Sequence, residues 1–240
     1  MNNILIAGHS DALKYAADCL RRAGCNSTHT PDDTVTHLLL PVPSLDPSGN
    51  IKGGGDLQEI LSLLPEGTTV IGGNLPHLPG RPVFDLLKDP EYVAENANIT
   101  AYCALSIAME HLPITLDQCP TLVIGWGRIG KCLCRLLQPL GCAVTVAARK
   151  ETDRAMAKAL GFEALDLPNI APEQFRLIFN TVPQMVLPQC AGEAVKIDLA
   201  SSRGLGGSDV IWARGLPGIH TPESSGALIA RQILRKEILL

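Results

Sequence analysis

Apolar residues in this chain gather into short, nearly continuous runs at 3–7, 35–40, 68–71, 121–124, 142–148, 177–181, 194–199 and 210–213. Runs of that length, apolar at almost every position, predict strands buried on both faces. Between them the spacing changes to the helical period. Leu13, Ala16, Ala17 and Leu20 share one face of a segment over 11–23, with Ser10 as N-cap and Gly24 beyond its end. Ile129, Leu133, Leu136, Leu137 and Leu140 line a second helix, and Tyr102, Leu105, Ser106 and Met109 a third over 98–111. Helices are also predicted over 56–64 and 152–160, and short strands over 26–30 and 161–165. The last helix, capped by Thr221 and opened by Pro222, runs to about 238 with Ile229, Ile233, Leu234 and Ile238 inward and Arg231, Arg235 and Lys236 in solvent. Alternating strands and helices predict an α/β fold with parallel sheets. Pro- and Gly-rich stretches fill the rest: 41–55, 74–82, and a loop at 204–207 read as flexible.

One junction carries more than fold information. The strand 121–124 runs into Gly125, Trp126, Gly127, Arg128, Ile129 and Gly130, and then into a helix. G-x-G-x-x-G between a strand and a helix is the dinucleotide-binding arrangement. Gly125 makes the tight turn, Gly127 lets a pyrophosphate reach the backbone, and Gly130 lets helix and strand pack closely. The plainer reading is a glycine-bearing turn that binds nothing. NAD-binding versions place an acid at the end of the next strand for the ribose 2′-OH. This chain has Ala147, Ala148, Arg149 and Lys150 there. Arg149 and Lys150 suit a 2′-phosphate and so favour NADP over NAD, or else they merely face water.

Composition narrows the class. The 240 residues carry a formal net charge of −4 with no basic run, which argues against a nucleic-acid partner. No apolar stretch is long enough to span a bilayer, and the start reads as a strand, not a signal peptide. The 8 cysteines are scattered through apolar segments without metal-ligand spacing. They read as reduced, mostly buried thiols of a cytoplasmic protein with no metal site.

Candidate chemistry clusters at strand ends, where open α/β sheets bind ligands. Asn180, Thr181, Val182 and Pro183 end one strand, positioned to contact a nicotinamide carboxamide or to brace neighbouring turns. Asp198 precedes Ser201 and Arg203, and Arg203 is the candidate for holding a substrate carboxylate. Gly215, Leu216, Pro217 and Gly218 form a rigid turn against the cofactor or a plain one. His220 offers a near-neutral acid/base or is a solvent-facing histidine. Asn98 and Thr100 either cap their helix or reach the site. The triple glycine 53–55 either cradles an anion or is a mobile loop.

The turns at 125–130, 146–149, 180–183, 198–201 and 215–218, with Thr221 to Gly226, resemble the family of dipicolinate synthase A subunits. The likeness covers nearly the whole chain. It implies a flavodoxin-like N-terminal domain (1–95) for the substrate, an interdomain helix and hinge (96–117), a Rossmann doubly wound parallel sheet for NADP (118–220), and a C-terminal helix (221–240) packing back at the junction. It also implies an oxidoreductase of sporulation that converts a small dicarboxylate, dihydrodipicolinate, to dipicolinic acid. A flavoprotein-like B subunit is the implied partner, and a homo-oligomer is compatible. Three positions depart from the pattern. Glu223 stands where the family has Lys, Asn96 to Thr100 lack the family's proline, and the segment 207–215 is short. A nucleotide-binding protein without catalysis, or a dehydrogenase of another small acid, are the alternatives.

Overall fold

A computed structural model of the chain describes residues 3–190, 192–236 and 238. It divides into two compact units. One runs to Asn96 and resumes at Pro217; the other is Ala97–Leu216.

The first unit holds a sheet of β1 (Asn3–Ile6), β2 (Asn26–Thr28), β3 (His37–Leu39), β4 (Thr69–Gly72) and β5 (Val83–Asp85). All its pairings are parallel and its order is β2-β1-β3-β4-β5, the flavodoxin-like arrangement. β5 lies in a stretch whose pattern shows no strand. Its Val83 is 40% exposed, so an edge strand of this length carries no apolar run to read.

The helix α1 (Asp11–Arg22) starts where Ser10 predicts it, with the Ser10 hydroxyl accepting from the Leu13 N–H at 3.1 Å. The short α2 (Leu57–Ser62) is capped in the same way by Asp56. The helix α3 (Pro90–His111) begins two turns earlier than its apolar spacing suggests. Asp89 accepts from the Tyr92 N–H and Pro90 opens the first turn, a start signal that the apolar pattern does not carry. Its inward face is Ala101, Ala104, Leu105 and Ala108, whereas Tyr102 and Met109 are exposed.

In the second unit β6 (Pro120–Ile124), β7 (Ala143–Ala147), β8 (Glu163–Leu165), β9 (Leu177–Asn180), β10 (Val195–Asp198) and β11 (Ile211–Trp212) form a parallel sheet ordered β11-β10-β9-β6-β7-β8. This is the Rossmann order, with the chain reversing direction across the sheet between β6 and β9. The helices α4 (Arg128–Leu137) and α5 (Glu151–Ala159) cross over between strands. Val123, Leu133, Leu137, Val146 and Phe179 fill one core face, and Leu122, Ile124, Ile178 and Leu205 the other. Register sets Ile124 beside Asn180, Asn180 beside Asp198 and Asp198 beside Trp212, one row at the carboxyl ends of the strands.

The Gly215–Gly218 stretch is not a plain turn. Gly215 takes a positive φ of 67°, and α6 (Leu216–His220) follows at once. The last helix, α7 (Pro222–Arg235), packs along α1 within the first unit. A Cβ at Gly226 would sit 2.5 Å from the Ala12 carbonyl, so glycine sets the closeness of this crossing. Thr221 does not cap α7: its hydroxyl donates to the Pro217 carbonyl. Nor are the basic residues of α7 simply solvated, because Arg231 pairs with Glu95, and Arg235 and Lys236 with Glu91.

Among the described residues no helix is long and apolar enough to cross a membrane. The cysteines are free, and burial pushes the Cys134 thiol up to about 12 and Cys142 to about 11. These thiols stay protonated and pack as small apolar groups.

Candidate functional site

The glycine turn sits between β6 and α4, at the point where the sheet order reverses. Each glycine meets a different constraint. Gly125 has φ +104°, and a Cβ there would lie 2.3 Å from the Thr181 hydroxyl oxygen. A Cβ on Gly130 would lie 2.1 Å from the Gly125 carbonyl, so helix and turn touch backbone to side-chain position. At Gly127 the same construction meets nothing within 4 Å. Gly127 is therefore needed neither for its φ of −80° nor for internal packing. It leaves an open approach to the start of α4, where no side chain caps the helix and its first N–H groups have only solvent or a ligand to meet.

A groove of about 240 Å³ adjoins this turn. It is lined by Gly125, Trp126, Ala147 to Lys150, Asp153, Leu167 and Val182 to Gln184. Arg149 and Lys150 are exposed and have no ion-pair partner among the described residues. The strand-end pattern does not anticipate one of the lining groups, nor the brace behind Arg149. Asp153, in the first turn of α5, brings a carboxylate to a groove that the strand end alone makes basic. Arg154 donates to the Ala148 and Arg149 carbonyls at 2.8 and 2.7 Å and pairs with Asp166, so it braces the backbone that carries Arg149.

These residues fit a dinucleotide. The open face at Gly127 and the uncapped helix start suit a pyrophosphate, and the apolar walls of Leu167 and Val182 suit a flat base. Trp126 is 7% exposed, edge-on to Phe162, and its indole N–H has no partner. The Ile129 side chain packs against the core, and Arg128 is exposed at the helix start.

The next loops are built inward. Asp198 is fully buried, and its carboxylate accepts four bonds: from the Asn180 amide at 2.8 Å, and from the N–H groups of Ala200, Gly204 and Leu205 at 3.1, 2.7 and 3.0 Å. Asn180 also donates to the Val182 carbonyl and accepts from its N–H. Both amide hydrogens of Asn180 are thus used within the protein, which favours the bracing role among the two read from sequence. Thr181 donates to the Ile124 carbonyl at 2.9 Å. Pro183 is exposed at the groove.

The 204–207 stretch is held, not flexible. Val186 and Leu187 donate to the Gly204 carbonyl, and a Cβ on Gly206 would collide with the Pro188 carbonyl. What Asp198 organises is the loop bearing Ser201 and Arg203, both exposed beyond β10. Arg203 stacks on Trp212, 5.1 Å from the ring centre. Leu216 is buried in the core of the second unit and does not line the groove. Pro217 is buried, and His220 is exposed at the end of α6 in the first unit. Asn98 accepts from Arg135.

The triple glycine resolves differently from either reading of it. A Cβ at Gly53 would meet His9 at 2.6 Å, and Gly54 lies against Gly8. The stretch packs onto the first unit's own glycine turn, and the His9 N–H donates to the Lys52 carbonyl.

A flavodoxin-like sheet and a Rossmann sheet with an open glycine turn define the class, a two-unit α/β fold of parallel sheets. A transhydrogenase from Sinorhizobium meliloti shares it, with a TM-score of 0.71 and 15% identity over 98% of this chain and 93% of that one. Within that class the chain resembles the A subunit of dipicolinate synthase. The Bacillus halodurans structure of that protein matches with a TM-score of 0.82 and 20% identity, covering 98% of this chain and 97% of its own. The Bacillus subtilis (strain 168) sequence is 23% identical over 86% of this chain and 79% of its own length. No family model matches the chain.

Proposed function

We propose that this chain is an NADP-dependent oxidoreductase acting on a small dicarboxylate, in the manner of the dipicolinate synthase A subunit. The observation that carries the reading is the open approach at Gly127, beside a helix start that no side chain caps among the described residues. Bound NADP+ supplies the hydride acceptor; the protein binds and orients. Gly125, Gly127 and Gly130, with the backbone of Trp126, Arg128 and Ile129, hold the pyrophosphate. Arg149 and Lys150 hold the 2′-phosphate, and Thr181, Val182 and Pro183 wall the groove. Arg203 pairs with a substrate carboxylate, with Ser201 beside it. His220 accepts the proton released when a dihydropyridine ring becomes aromatic; the hydride leaves from the substrate carbon. A flavoprotein-like protein is the proposed partner, and the cytoplasm the proposed setting.

The test is NADP+ reduction, followed at 340 nm, on adding dihydrodipicolinate, alone and with the flavoprotein partner. Turnover that Arg203→Ala abolishes supports the reading, and no turnover under either condition removes it. Glu223 favours a second reading, since an exposed acid stands where the resemblance expects a lysine. In that reading the chain binds NADP without catalysis, and thermal unfolding responds to the nucleotide alone. A nucleotide at about 100 times its Kd stabilises by roughly 2.7 kcal/mol, a visible shift.

A further inference from the structure

Trp212 ends β11 in the same register row as Asp198, at the carboxyl edge of the Rossmann sheet. Its ring is fixed from behind by an indole N–H bond to the Ala200 carbonyl at 3.2 Å. Two guanidinium groups stack on that ring: Arg203 at 5.1 Å and Arg214 at 5.3 Å from its centre. The two cations therefore lie within about 10 Å of each other. Both arginines are exposed, and neither has a carboxylate partner among the described residues. Arg21 pairs with Asp18, Arg154 with Asp166 and Arg231 with Glu95, whereas Arg149 at the nucleotide groove stands unpaired as these two do.

Two exposed like charges on one ring repel only weakly in water, and an anion with two acceptor groups turns that repulsion into attraction. The platform also limits the freedom of both forks, since cation–π stacking holds each guanidinium plane while leaving its N–H edge to bond. Each fork matches one carboxylate bidentately.

We propose that Arg203 and Arg214, spread on Trp212, form a two-point clamp for a planar dianion, one carboxylate to each guanidinium. Arg214 is thus a specificity-determining residue, selecting dicarboxylates over monocarboxylates. The proposal rests on the dicarboxylate reading above and makes it specific. The backbone supports the geometry on both sides. The buried Asp198 carboxylate folds the loop carrying Arg203, and the Ala213 N–H donates to the Asp198 carbonyl just before Arg214.

The experiment is calorimetric titration of the purified full chain with pyridine-2,6-dicarboxylate and with pyridine-2-carboxylate, followed by titration with NADP. The wild type should bind the dicarboxylate about 10- to 100-fold more tightly, the effect of one added charge-assisted pair. Arg214→Ala should reduce that preference to within about 3-fold, Arg214→Lys should keep an intermediate preference, and NADP affinity should not move in either. Both changes are on the surface, and circular dichroism confirms that the variants fold. A wild type that binds the two acids equally or not at all overturns the clamp, as does an Arg214→Ala protein that keeps the preference. Equal loss of NADP affinity in Arg214→Ala also overturns it, because the anion held would then be the nucleotide's phosphate. Selective dicarboxylate binding without NADP+ reduction sustains the clamp while removing the oxidoreductase reading, so the two failures are distinct.

Discussion

The two sheets open alike, with a buried strand, a glycine turn and an amphipathic helix, yet the turns end in opposite states. After β1, Gly8 has φ +87°, and its missing Cβ is hemmed in by Ile51 at 2.7 Å and the Lys52 carbonyl at 2.7 Å. The Ser10 hydroxyl takes the Leu13 N–H at the start of α1. Gly53 and Gly54 lie on the turn itself. After β6 no loop folds over Gly127 and no side chain caps α4. The chain satisfies its own helix start after the first turn and leaves the start after the second turn open. A strand–glycine–helix signal therefore reports topology; function depends on whether the chain itself fills the turn.

The largest effect is expected where the second turn's surroundings are held back. Asp198→Ala strips four buried donors of their acceptor and should lower the stability of the protein by about 4 kcal/mol. Urea unfolding measures this, and a loss below about 1 kcal/mol would mean that Asp198 does not anchor the loop.

The next pair of substitutions puts the comparison itself to the test. Gly8→Ala forces a side chain into a filled, positive-φ position and should cost about 3 kcal/mol while leaving NADP affinity unchanged. Gly127→Val enters open space from a negative φ, so its Tm should barely move. It blocks the pyrophosphate approach, however, and should weaken NADP binding about 100-fold, or about 2.7 kcal/mol. If Gly127→Val bound NADP normally, the open turn would be only an unfilled one.

Cofactor choice should respond less steeply. Arg149 and Lys150 favour a 2′-phosphate, and Asp153 in the same groove opposes it. Arg149→Ala is expected to shift preference toward NAD by about 10-fold, and Asp153→Ala toward NADP by a similar factor. Parallel Kd measurements with both nucleotides check this. Movement of both variants in the same direction would show that these side chains do not read the ribose.

Much of this arrangement is written locally. The apolar runs mark eight of the eleven described strands, with the short β2 and β8 read beside them, Ser10 marks a helix start by its own hydroxyl, and the spacing of Gly125, Gly127 and Gly130 marks the turn. What escapes the sequence is set by distant neighbours. Asn180 and Asp198 read as two strand ends with separate duties, and only their side-by-side register makes them one network. The triple glycine reads as an anion cradle or a mobile loop until Gly8 and His9 fill the space beneath it. Asp153 is hidden because the acid sought for the ribose belongs at a strand end, and this one comes from the following helix. Arg214 and Trp212 are near neighbours in the chain, but Arg203 joins them only through the β10–β11 pairing. β5 is too short and too exposed to leave a pattern at all.

The smallest effects come from exchanging the caps between the two helices. Ser10→Ala leaves the Leu13 N–H without its acceptor and should lower stability by about 1 kcal/mol. Gly127→Ser supplies to α4 the hydroxyl that α1 already has, from a backbone already extended at φ −80° and ψ −168°. It should stabilise the apo protein by a few tenths of a kcal/mol, the small gain that separates serine from glycine at a cap. The same hydroxyl then competes with a phosphate for the first N–H groups of α4, so NADP affinity should fall as apo stability rises. Thermal unfolding with and without NADP measures both in one experiment. A rise in both would mean that the nucleotide does not use the start of α4, and the contrast between the two turns would then lie in packing alone.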